Sequence, residues 1–378
     1  MKIAVLIRNF DINAGGAERY CVELTKRLSK IHEVHVFSQH AHQQPSDIVF
    51  HRIPQWFKKP RYINQWLFSY LTKRATRNKF NIVHSHDMVT HANIHTLHVP
   101  CFRTKWSQAT GLNKVLRWIL TVISARKLAY LHLENKQMQV LENKHFISVS
   151  EYLSKNLVLN YPKLIHHIII AYPGANQSQQ FTGNSSLPKV KEKLGLNDKN
   201  FLLLFVANDL NKKGMPTILQ ALNILNNKHI HVAIAGNGKR NENQIPGVLQ
   251  KNIHFLGVVK NMTHLYHGAD ALIHPTLVDT YGMSILEAMS AKLPVIVSNK
   301  NYCGFSEHLN NNQALILQDP KDPIELSEKI NKLLLNQSLR DSLAENGYKK
   351  SQAITWENTV QKTLLAYNTI HKTKKLKI

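Results

Sequence analysis

The stretch His274-Pro-Thr-Leu-Val-Asp-Thr-Tyr-Gly-Met-Ser-Ile-Leu-Glu-Ala-Met289 decides the fold. A short apolar run, Ala271–His274, leads into it, and a second, Val295–Ser298, follows it. Apolar runs of this length are typical of buried strands, and the residues before Met289 have the spacing of a helix. The pattern therefore predicts a strand, loop, helix, strand unit of a parallel α/β sheet.

Two carboxylates stand eight residues apart in this stretch. We expect Asp279 to lie where the helix begins, with Gly282 beside it, so that backbone N–H groups from Tyr281 to Ser284 are available to an anion. Glu287 then follows a little over two helical turns later. The two acids would contact different parts of one ligand, and a compound with a phosphate and several hydroxyl groups fits. The alternative is a pair of ordinary helix acids, which are common near helix starts.

The same residues carry a family resemblance. The stretch resembles the carboxylate, seven residues, carboxylate signature of the retaining glycosyltransferases of family 4. The resemblance implies that Asp279 contacts hydroxyls of the transferred sugar and that Glu287 binds the nucleotide ribose. Asp279 stands where the family usually has the longer Glu. The loop residues that the resemblance places around the donor are Tyr281, Gly282, Met283 and Ser284.

A second loop carries the resemblance into the middle of the chain. The apolar run Phe201–Ala207 is followed by Asn208-Asp-Leu-Asn-Lys-Lys-Gly214, where the family usually has Arg, four residues, Lys and Gly. The resemblance implies that Lys213 holds the donor diphosphate and stabilises its departure. Asn208 occupies the Arg position, and Lys212 would supply the missing cation. A solvated lysine pair is the alternative.

Glycines follow two further predicted strands. Gly15 and Gly16 come after the first strand, Ile3–Ile7, and open a helix, and Gly236 and Gly238 follow a strand in the second half. Glycine lets a ligand approach the backbone at a helix start. The resemblance places the first pair beside the donor phosphates and the acceptor, and the second pair in a base and phosphate loop. A tight strand-to-helix turn is the alternative for the first pair.

Histidines end two neighbouring strands of the first half. His98 lies at the carboxyl end of the strand that we predict at 94–99, and this end of a strand faces the crevice of an open sheet. The resemblance places an ionisable residue close to the reacting sugar at this point, so His98 is a candidate active-site residue and His86 a weaker one. The alternative is that both are polar groups whose hydrogen bonds are satisfied within the protein. The spacing matches no zinc signature and no Asp-x-Asp occurs, so we expect no metal and no cofactor beyond the donor substrate.

Composition indicates a globular chain with two domains. Its 378 residues exceed the roughly 250 to 300 that one core fills, and 43% of them are hydrophobic. Three scattered cysteines, Cys21, Cys101 and Cys303, form neither a disulfide framework nor a zinc pattern, which favours a reducing cytoplasm. No uncharged apolar run approaches the roughly 20 residues that span a bilayer, so we expect no transmembrane segment.

The net charge of +24 indicates an anionic partner. Between Ile48 and Leu133 there are fourteen Lys or Arg and one acid, Asp87. Within this region, 112–124 is predicted to be an amphipathic helix with Trp118 at the border of its apolar face. Such a helix can lie in an anionic membrane surface or pack on the core of its own domain. The residues predicted to meet the membrane are Arg103, Lys105, Lys114, Arg117, Arg126 and Lys127.

The resemblance extends over nearly the whole chain and implies an α/β protein of the GT-B architecture, with two Rossmann-like domains facing a central cleft. Residues 1–175 form the acceptor-binding domain, residues 190–356 form the domain that binds the nucleotide-sugar, and we expect the last helix, 357–371, to pack back on the first domain. His98, Asp279 and Lys213 are the predicted catalytic residues.

Among family members, the resemblance is to lipopolysaccharide-core glucosyltransferases, which implies transfer of a hexose, with UDP-glucose as the leading donor, to a lipid-linked saccharide. We expect a metal-independent enzyme in the cytoplasm, peripheral on the inner face of the cytoplasmic membrane. Two alternatives stay open, a nucleotide-sugar-binding protein without turnover and a basic nucleic-acid-binding scaffold. No nucleic-acid-binding motif is visible, so nucleic acid is not an expected partner.

Overall fold

The computed structural model describes residues 1–42, 44–104, 111–175, 190–238 and 245–375, without the side chains of residues 112–114, 117 and 372–375. The chain forms two compact units. The first unit comprises Met1–Gly174 together with Trp356–Ile378, and the second unit comprises Ala175–Thr355. Each unit is described by itself below.

The first unit is built on a parallel sheet of seven strands in the order β5-β3-β1-β6-β7-β8-β9. Its strands, including a two-stranded side sheet of β2 and β4, are β1 Lys2–Leu6, β2 Asn9–Phe10, β3 Glu33–Ser38, β4 His40–Ala41, β5 Ile48–Arg52, β6 Ile82–Ser85, β7 Ile94–Leu97, β8 His145–Ser148 and β9 Ile168–Ile170. Its helices are Gly16–Leu28, Arg61–Thr76, Gly111–Val122, Ala125–Gln137, Glu151–Asn160 and Trp356–Lys375, with a 3-10 turn at Pro162–Leu164.

The second unit is built on a parallel sheet of six strands in the order β12-β11-β10-β13-β14-β15. Its strands are β10 Phe201–Val206, β11 Ile230–Ala235, β12 Ile253–Gly257, β13 Ala271–His274, β14 Val295–Ser298 and β15 Leu315–Leu317. Its helices are Val190–Lys193, Met215–Leu225, Thr263–Gly268, Met283–Ser290, Pro323–Leu335 and Gln337–Gln352, with 3-10 turns at Gly247–Asn252 and Gly304–His308.

The central strands are apolar on both faces because helices cover both sides of each sheet. In β10, Leu202, Leu203 and Leu204 are completely buried, and β13 and β14 are buried at every position. A parallel sheet covered on both faces reads as such a continuous apolar run. The core of the second unit includes Phe205, Ile218, Val232 and Ile273, and that of the first unit includes Ala4, Leu6, Phe37 and Phe68.

The strand order of both sheets reverses direction next to the first strand. In the second unit the chain moves outward from β10 to β11 and β12, and then returns to place β13 on the other side of β10. The first unit does the same around β1, with β3 on one side and β6 on the other. Ligands of open α/β sheets bind at the carboxyl ends of the strands at such switch points. The prediction of two Rossmann-like domains is confirmed.

The start of one helix in the second unit is fixed by a local capping pattern. The helix Pro323–Leu335 follows Asp322, whose carboxylate accepts hydrogen bonds from the backbone N–H groups of Ile324 and Glu325. Pro323 occupies the first helical position. This N-cap with a following proline is a strong start signal and fixes the N-terminus of the helix.

Candidate active site

Two loops meet at the switch point of the second sheet. The loop after β10 ends at Gly214, and the loop after β13 begins at Pro275. The carbonyl of Lys212 accepts hydrogen bonds from the Leu277 backbone N–H at 2.8 Å and from the Thr276 hydroxyl at 3.3 Å. Gly214 has φ +90°, and a Cβ atom there would lie 2.0 Å from the Pro275 carbonyl oxygen. The close approach of the two loops therefore requires glycine at 214.

The two predicted catalytic residues of the second unit lie on these two loops and touch. The Lys213 ammonium forms an ion pair with Asp279 Oδ2, and the side chains are 20% and 16% exposed. His274, which ends β13 and is buried, donates from Nε2 to the same oxygen at 2.9 Å. The sequence analysis quoted His274 but missed it as a site residue. Its position at the carboxyl end of a central strand was the signal that could have identified it.

The charges of this cluster follow from its surroundings. Burial by itself raises the pKa of the Asp279 carboxyl, but the Lys213 ammonium and the His274 hydrogen bond outweigh burial and hold that pKa well below its usual range. Burial lowers the pKa of His274, against a smaller raising effect of Asp279. His274 is therefore a neutral imidazole that orients an ionised Asp279, and the cluster holds one cation and one anion at neutral pH.

Asp279 does not lie at the start of a helix, and this expectation was wrong. The helix begins at Met283 after Gly282, whose φ is +104°. The backbone N–H of Asp279 donates to the Tyr302 carbonyl at 2.8 Å, and the Asp279 carbonyl accepts from the Gly304 N–H at 3.0 Å. These long-range bonds hold Asp279 in an extended bridge, so the stretch from Asp279 to Glu287 contains one helical turn rather than two.

Glu287 lies on the exposed side of the short helix that follows. It is half-buried, and the Tyr266 hydroxyl donates to its Oε2 at 2.7 Å. Tyr266 is a buried residue whose role gave no signal in the sequence. The Tyr281 side chain packs edge-on against Phe305 with ring centroids 5.4 Å apart, so it belongs to the core rather than to the surface of the site. Met283 and Ser284 are half-buried in the first turn of the helix.

The remaining donor-loop residues of the second unit form a separate contact. Asn208 Oδ1 accepts a hydrogen bond from the Asn237 backbone N–H at 2.9 Å, which ties the loop after β10 to the loop after β11. Gly236 has φ +134°, and a Cβ atom there would lie 2.2 Å from the Ala207 carbonyl oxygen. A Cβ atom at Gly238 would lie 2.8 Å from the Leu210 side chain. The Asn208 hydrogen bond and the two glycines thus hold the backbones of the two loops close together. Such a backbone surface is suitable for contact with a phosphate or a base.

Lys212 forms its ion pair with a residue outside the Asp279 cluster. Its ammonium pairs with Asp209 at 2.5 Å, and the two side chains are 69% and 47% exposed. The adjacent lysines therefore have different partners, one at the surface and one at the switch point. The prediction that Lys212 supplies a second cation to a diphosphate stays a prediction.

In the first unit, Gly15 caps the helix Gly16–Leu28, which follows β1 and the short strand β2. A Cβ atom on Gly15 would lie 2.8 Å from Glu18 Oε2, so the glycine makes room for this carboxylate. Burial raises the pKa of Glu18, and the neighbouring Asp87 and Asp11 raise it further. Glu18 was not among the predicted site residues, although it belongs to the same glycine-containing motif.

His98 belongs to a histidine cluster at the carboxyl ends of β6 and β7. His98 Nε2 and His86 Nδ1 are 3.1 Å apart and share one proton, and His86 stacks on His84 with ring centroids 4.5 Å apart. Burial lowers the pKa of His98 to about 3 and that of His84 to about 3. The rings are therefore neutral at pH 7. Tyr20 packs edge-on against His98, with ring centroids 5.1 Å apart.

The basic region presents an apolar helix surface to solvent. On the helix Gly111–Val122 and the residue after it, apolar side chains are between 42% and 76% exposed, namely Val115, Leu116, Trp118, Ile119, Leu120, Val122 and Ile123. The polar Thr121 is instead buried. The helix therefore turns its apolar face outward, which a core-facing helix would not do.

The structure describes the side chains of three of the six basic residues predicted to meet the membrane. Arg126 is exposed, Lys127 is half-buried and donates to the Leu120 carbonyl at 3.2 Å, and Arg103 stacks over the Tyr161 ring at 5.2 Å. Lys105 and the side chains of Lys114 and Arg117 lie outside the described residues.

Known protein families match both units. A family model described as Glycosyltransferase Family 4 matches residues 14–179, and one described as Glycosyl transferases group 1 matches residues 187–350. An uncharacterized glycosyltransferase of Methanocaldococcus jannaschii, MJ1607, is 26% identical over 308 residues, which are 77% of this chain and 75% of that protein.

One further relative and two solved structures are similar to this chain. Lipopolysaccharide glucosyltransferase WaaG of Escherichia coli is 27% identical over 182 residues, 46% of this chain and 48% of that protein. A crystal structure of WaaG matches with a TM-score of 0.81 at 19% identity over 96% of this chain and 98% of that one. Anabaena Alr3699/HepE, solved with UDP-glucose, matches with a TM-score of 0.70 at 14% identity over 99% of each chain. At these identities the structural matches establish the fold.

Proposed function

Because this chain belongs to the family 4 glycosyltransferases and has their GT-B fold, we propose that it is a retaining, metal-independent enzyme that transfers glucose from UDP-glucose to a lipid-linked oligosaccharide such as the lipopolysaccharide core. The observation that carries the proposal is the ion pair of Lys213 and Asp279 at the switch point of the second sheet. A cation held there by an ionised acid suits a ligand that brings both phosphate charge and sugar hydroxyls.

Support for UDP-glucose comes from two relatives. WaaG is described as a glucosyltransferase, and HepE has been solved with UDP-glucose. In the proposed complex Glu287, held by Tyr266, accepts hydrogen bonds from the ribose hydroxyls, and the glycines at 236 and 238 admit the nucleotide close to the backbone. Asp279 accepts hydrogen bonds from the transferred sugar through the oxygen that is turned away from Lys213. The donor is a substrate, and no further cofactor is proposed.

The proposed chemistry is a displacement at the anomeric carbon. The bond between that carbon and the diphosphate oxygen breaks, the acceptor oxygen forms the new bond on the same face, and the acceptor proton passes to a phosphate oxygen of the leaving UDP. Charge grows on the diphosphate as it departs, and the Lys213 ammonium stabilises that charge. His98, a neutral imidazole, orients sugar hydroxyls and is not required as a base.

We further propose that the helix Gly111–Val122 lies in an anionic membrane surface. Its outward apolar face would enter the boundary between headgroups and acyl chains, while Arg103, Arg126 and Lys127 meet the phosphates. None of the helices in the described part of the chain combines the length and hydropathy that crossing a bilayer requires. The proposed location is the inner face of the cytoplasmic membrane, where a lipid-linked acceptor is within reach.

Thermal unfolding with a panel of nucleotides and nucleotide-sugars, in the presence of EDTA, tests the donor site. A ligand that binds only the folded state raises its apparent stability. We expect UDP and UDP-glucose to raise the Tm of the wild-type chain and to lose that effect in Glu287→Gln. Glu345→Gln is the matched control, because Glu345 is an exposed helix acid that pairs with Lys292.

Each outcome separates the proposal from an alternative. A shift with UDP-glucose, followed by release of UDP when a lipid-linked acceptor is added, supports the proposal. A shift without transfer to any acceptor favours a binding protein without turnover. Absence of a shift with every nucleotide, together with tight binding to duplex DNA that weakens steeply with salt, would favour a nucleic-acid scaffold.

A further inference from the structure

A polar cavity of about 410 Å³ opens at the carboxyl ends of β1, β3 and β5 in the first unit. Ligand sites usually range from about 300 to 1,000 Å³, so a phosphorylated monosaccharide fits in this volume. The side chains of three cations, Arg8, Lys58 and Arg61, line it. The other lining residues are Asn9, Gln39, His40, His42, Gln55 and Asn64, so none of the described lining residues carries a carboxylate.

Two of the three cations form no ion pair within the part of the chain that the structure describes. Lys58 and Arg61 are exposed and form no ion pair with any described residue. Arg8 is held in place, because its backbone N–H and its Nε donate to the two oxygens of Asp87 at 2.7 and 2.9 Å. The terminal nitrogens of Arg8 make no hydrogen bond within the described residues. Among the described residues, the cavity therefore combines one guanidinium held by Asp87 with two cations that have no ion-pair partner.

The floor of the cavity is fixed by paired amides. Gln39 and Asn64 are buried and exchange two hydrogen bonds, at 2.7 and 3.0 Å. His40 Nε2 and Gln55 Oε1 are joined at 2.7 Å. Arg61 also begins the 16-residue helix Arg61–Thr76, whose N-terminus has no side-chain cap, so the positive end of the helix dipole adds to the cationic field. These bonds hold the polar side chains of the floor in fixed positions.

We infer that this cavity binds a phosphate monoester carried by the acceptor saccharide. A phosphate monoester brings a charge of about −1.5 to −2, which matches the two cations Lys58 and Arg61, and its three acceptor oxygens can also take hydrogen bonds from the terminal nitrogens of Arg8. A carboxylate brings one charge and two oxygens and would leave one of the two cations without an anion. The inference deepens the proposed function and rests on it, since it makes the acceptor a phosphorylated sugar.

Calorimetric titration of the full chain with glucose 6-phosphate tests the site, with glucose and glucuronate as comparison ligands. We expect glucose 6-phosphate to bind, and the double variant Lys58→Ala/Arg61→Ala to bind it about tenfold more weakly or worse. The control is Lys73→Ala/Arg74→Ala, which also removes one lysine and one arginine, but from the last turn of the helix that Arg61 begins. We expect that control to change the affinity by less than about threefold.

Several outcomes would overturn the inference. Equal weakening in both double variants would mean general charge attraction, and equal binding of glucuronate would remove the preference for phosphate. Loss of binding in Lys213→Ala but not in Lys58→Ala/Arg61→Ala would place the phosphate in the second unit. Binding of phosphatidylglycerol vesicles that depends on Lys58 and Arg61, without binding of glucose 6-phosphate, would assign the cavity to membrane lipid.

A parallel titration with UDP keeps this test separate from that of the proposed function. If glucose 6-phosphate binds as expected but UDP does not, the donor proposal fails while the phosphate site stands. If UDP binds and glucose 6-phosphate does not, the donor proposal stands and the acceptor inference fails. Melting curves of the variants confirm that the exposed substitutions leave the chain folded.

Discussion

Lys213 and Asp279 form an ion pair that joins the loops after β10 and β13, and His274 donates to the same carboxylate oxygen. Neither lysine nor aspartate is free in this state. A donor diphosphate would therefore compete with Asp279 for the Lys213 ammonium, while its sugar would be offered a carboxylate whose charge is secured by a depressed pKa.

The competition predicts an unusual effect of Asp279→Asn. We expect this variant to bind UDP as tightly as the wild type or up to about tenfold more tightly, because the ammonium no longer has to leave a carboxylate. Turnover should fall by about 100-fold or more, since the acid that we propose to hold the sugar is lost. Calorimetry with UDP and a UDP-release assay measure the two effects. Asp341→Asn, at an exposed position on the helix Gln337–Gln352, is the control and should change either value by less than about threefold. Loss of UDP binding in Asp279→Asn would contradict this account.

The contact of Gly214 with Pro275 predicts a position-specific cost of a methyl group. In Gly214→Ala the new Cβ atom would clash with the Pro275 carbonyl oxygen, and the alanine would have to keep a φ of +90°, which is unfavourable for it. We therefore expect the free energy of unfolding to fall by about 2 to 4 kcal/mol. Gly195→Ala is the control, because Gly195 has φ +70° with open space around the Cβ position, and about 1 kcal/mol is expected there. Urea unfolding compares the two midpoints. Equal losses would show that backbone strain alone, without the loop contact, sets the cost.

The buried histidines of the first unit predict a loss of stability in acid. Burial is the main cause that lowers the pKa of His84 to about 3, with a smaller contribution from His98. The unfolded chain, in which histidine has a pKa of about 6.5, binds the proton first. The contribution of His84 is thus fully present above about pH 6.5 and is lost as the pH falls towards 3, with a slope of up to about 1.4 kcal/mol per pH unit.

His84→Gln should reduce the dependence of the unfolding free energy on pH by up to about 1.4 kcal/mol per pH unit, because glutamine does not bind the proton. Urea unfolding at pH 7.0, 6.0 and 5.0 measures it. The gap between wild type and variant should narrow in acid, although the variant is less stable at pH 7 through loss of the bonds to Tyr367 and Thr96. His166→Gln, at an exposed position, is the control. A constant gap at all three pH values would show that His84 does not couple folding to protonation.

The outward apolar face of the helix Gly111–Val122 predicts binding to anionic vesicles. Trp118 and Ile119 are 61% and 42% exposed, and each would bury its side chain in the interface. We expect Trp118→Gln/Ile119→Gln to weaken cosedimentation with phosphatidylglycerol vesicles by about tenfold or more, from lost apolar burial. Leu159→Gln, which changes an equally exposed leucine on another helix of the unit, should have little effect. Vesicle binding that is unchanged in the double variant would argue against this helix as the contact.

Much of the candidate donor site was visible in the sequence because its residues are close together along the chain. The loop residues around Lys213 and the stretch from Asp279 to Glu287 are short segments that follow apolar strands, and parallel strands place such segments along one edge of a sheet. The helix start beside Asp279 was misplaced because its conformation is set by hydrogen bonds to Tyr302 and Gly304, more than twenty residues away in sequence. The outward direction of the apolar helix face was also undecidable, since the same periodicity suits a core and a membrane.

The sequence by itself determined the alternation of strands and helices, the two parallel sheets and the candidate donor residues, since these depend on local periodicity and on glycine positions. Only the tertiary structure decided which side chains became partners. It joined Lys213 to Asp279 and His274, gave Glu287 a hydroxyl donor from Tyr266, and gathered Arg8, Lys58 and Arg61 around one cavity. Such pairings depend on strand order and on the burial that shifts each pKa, and both arise only when distant segments pack.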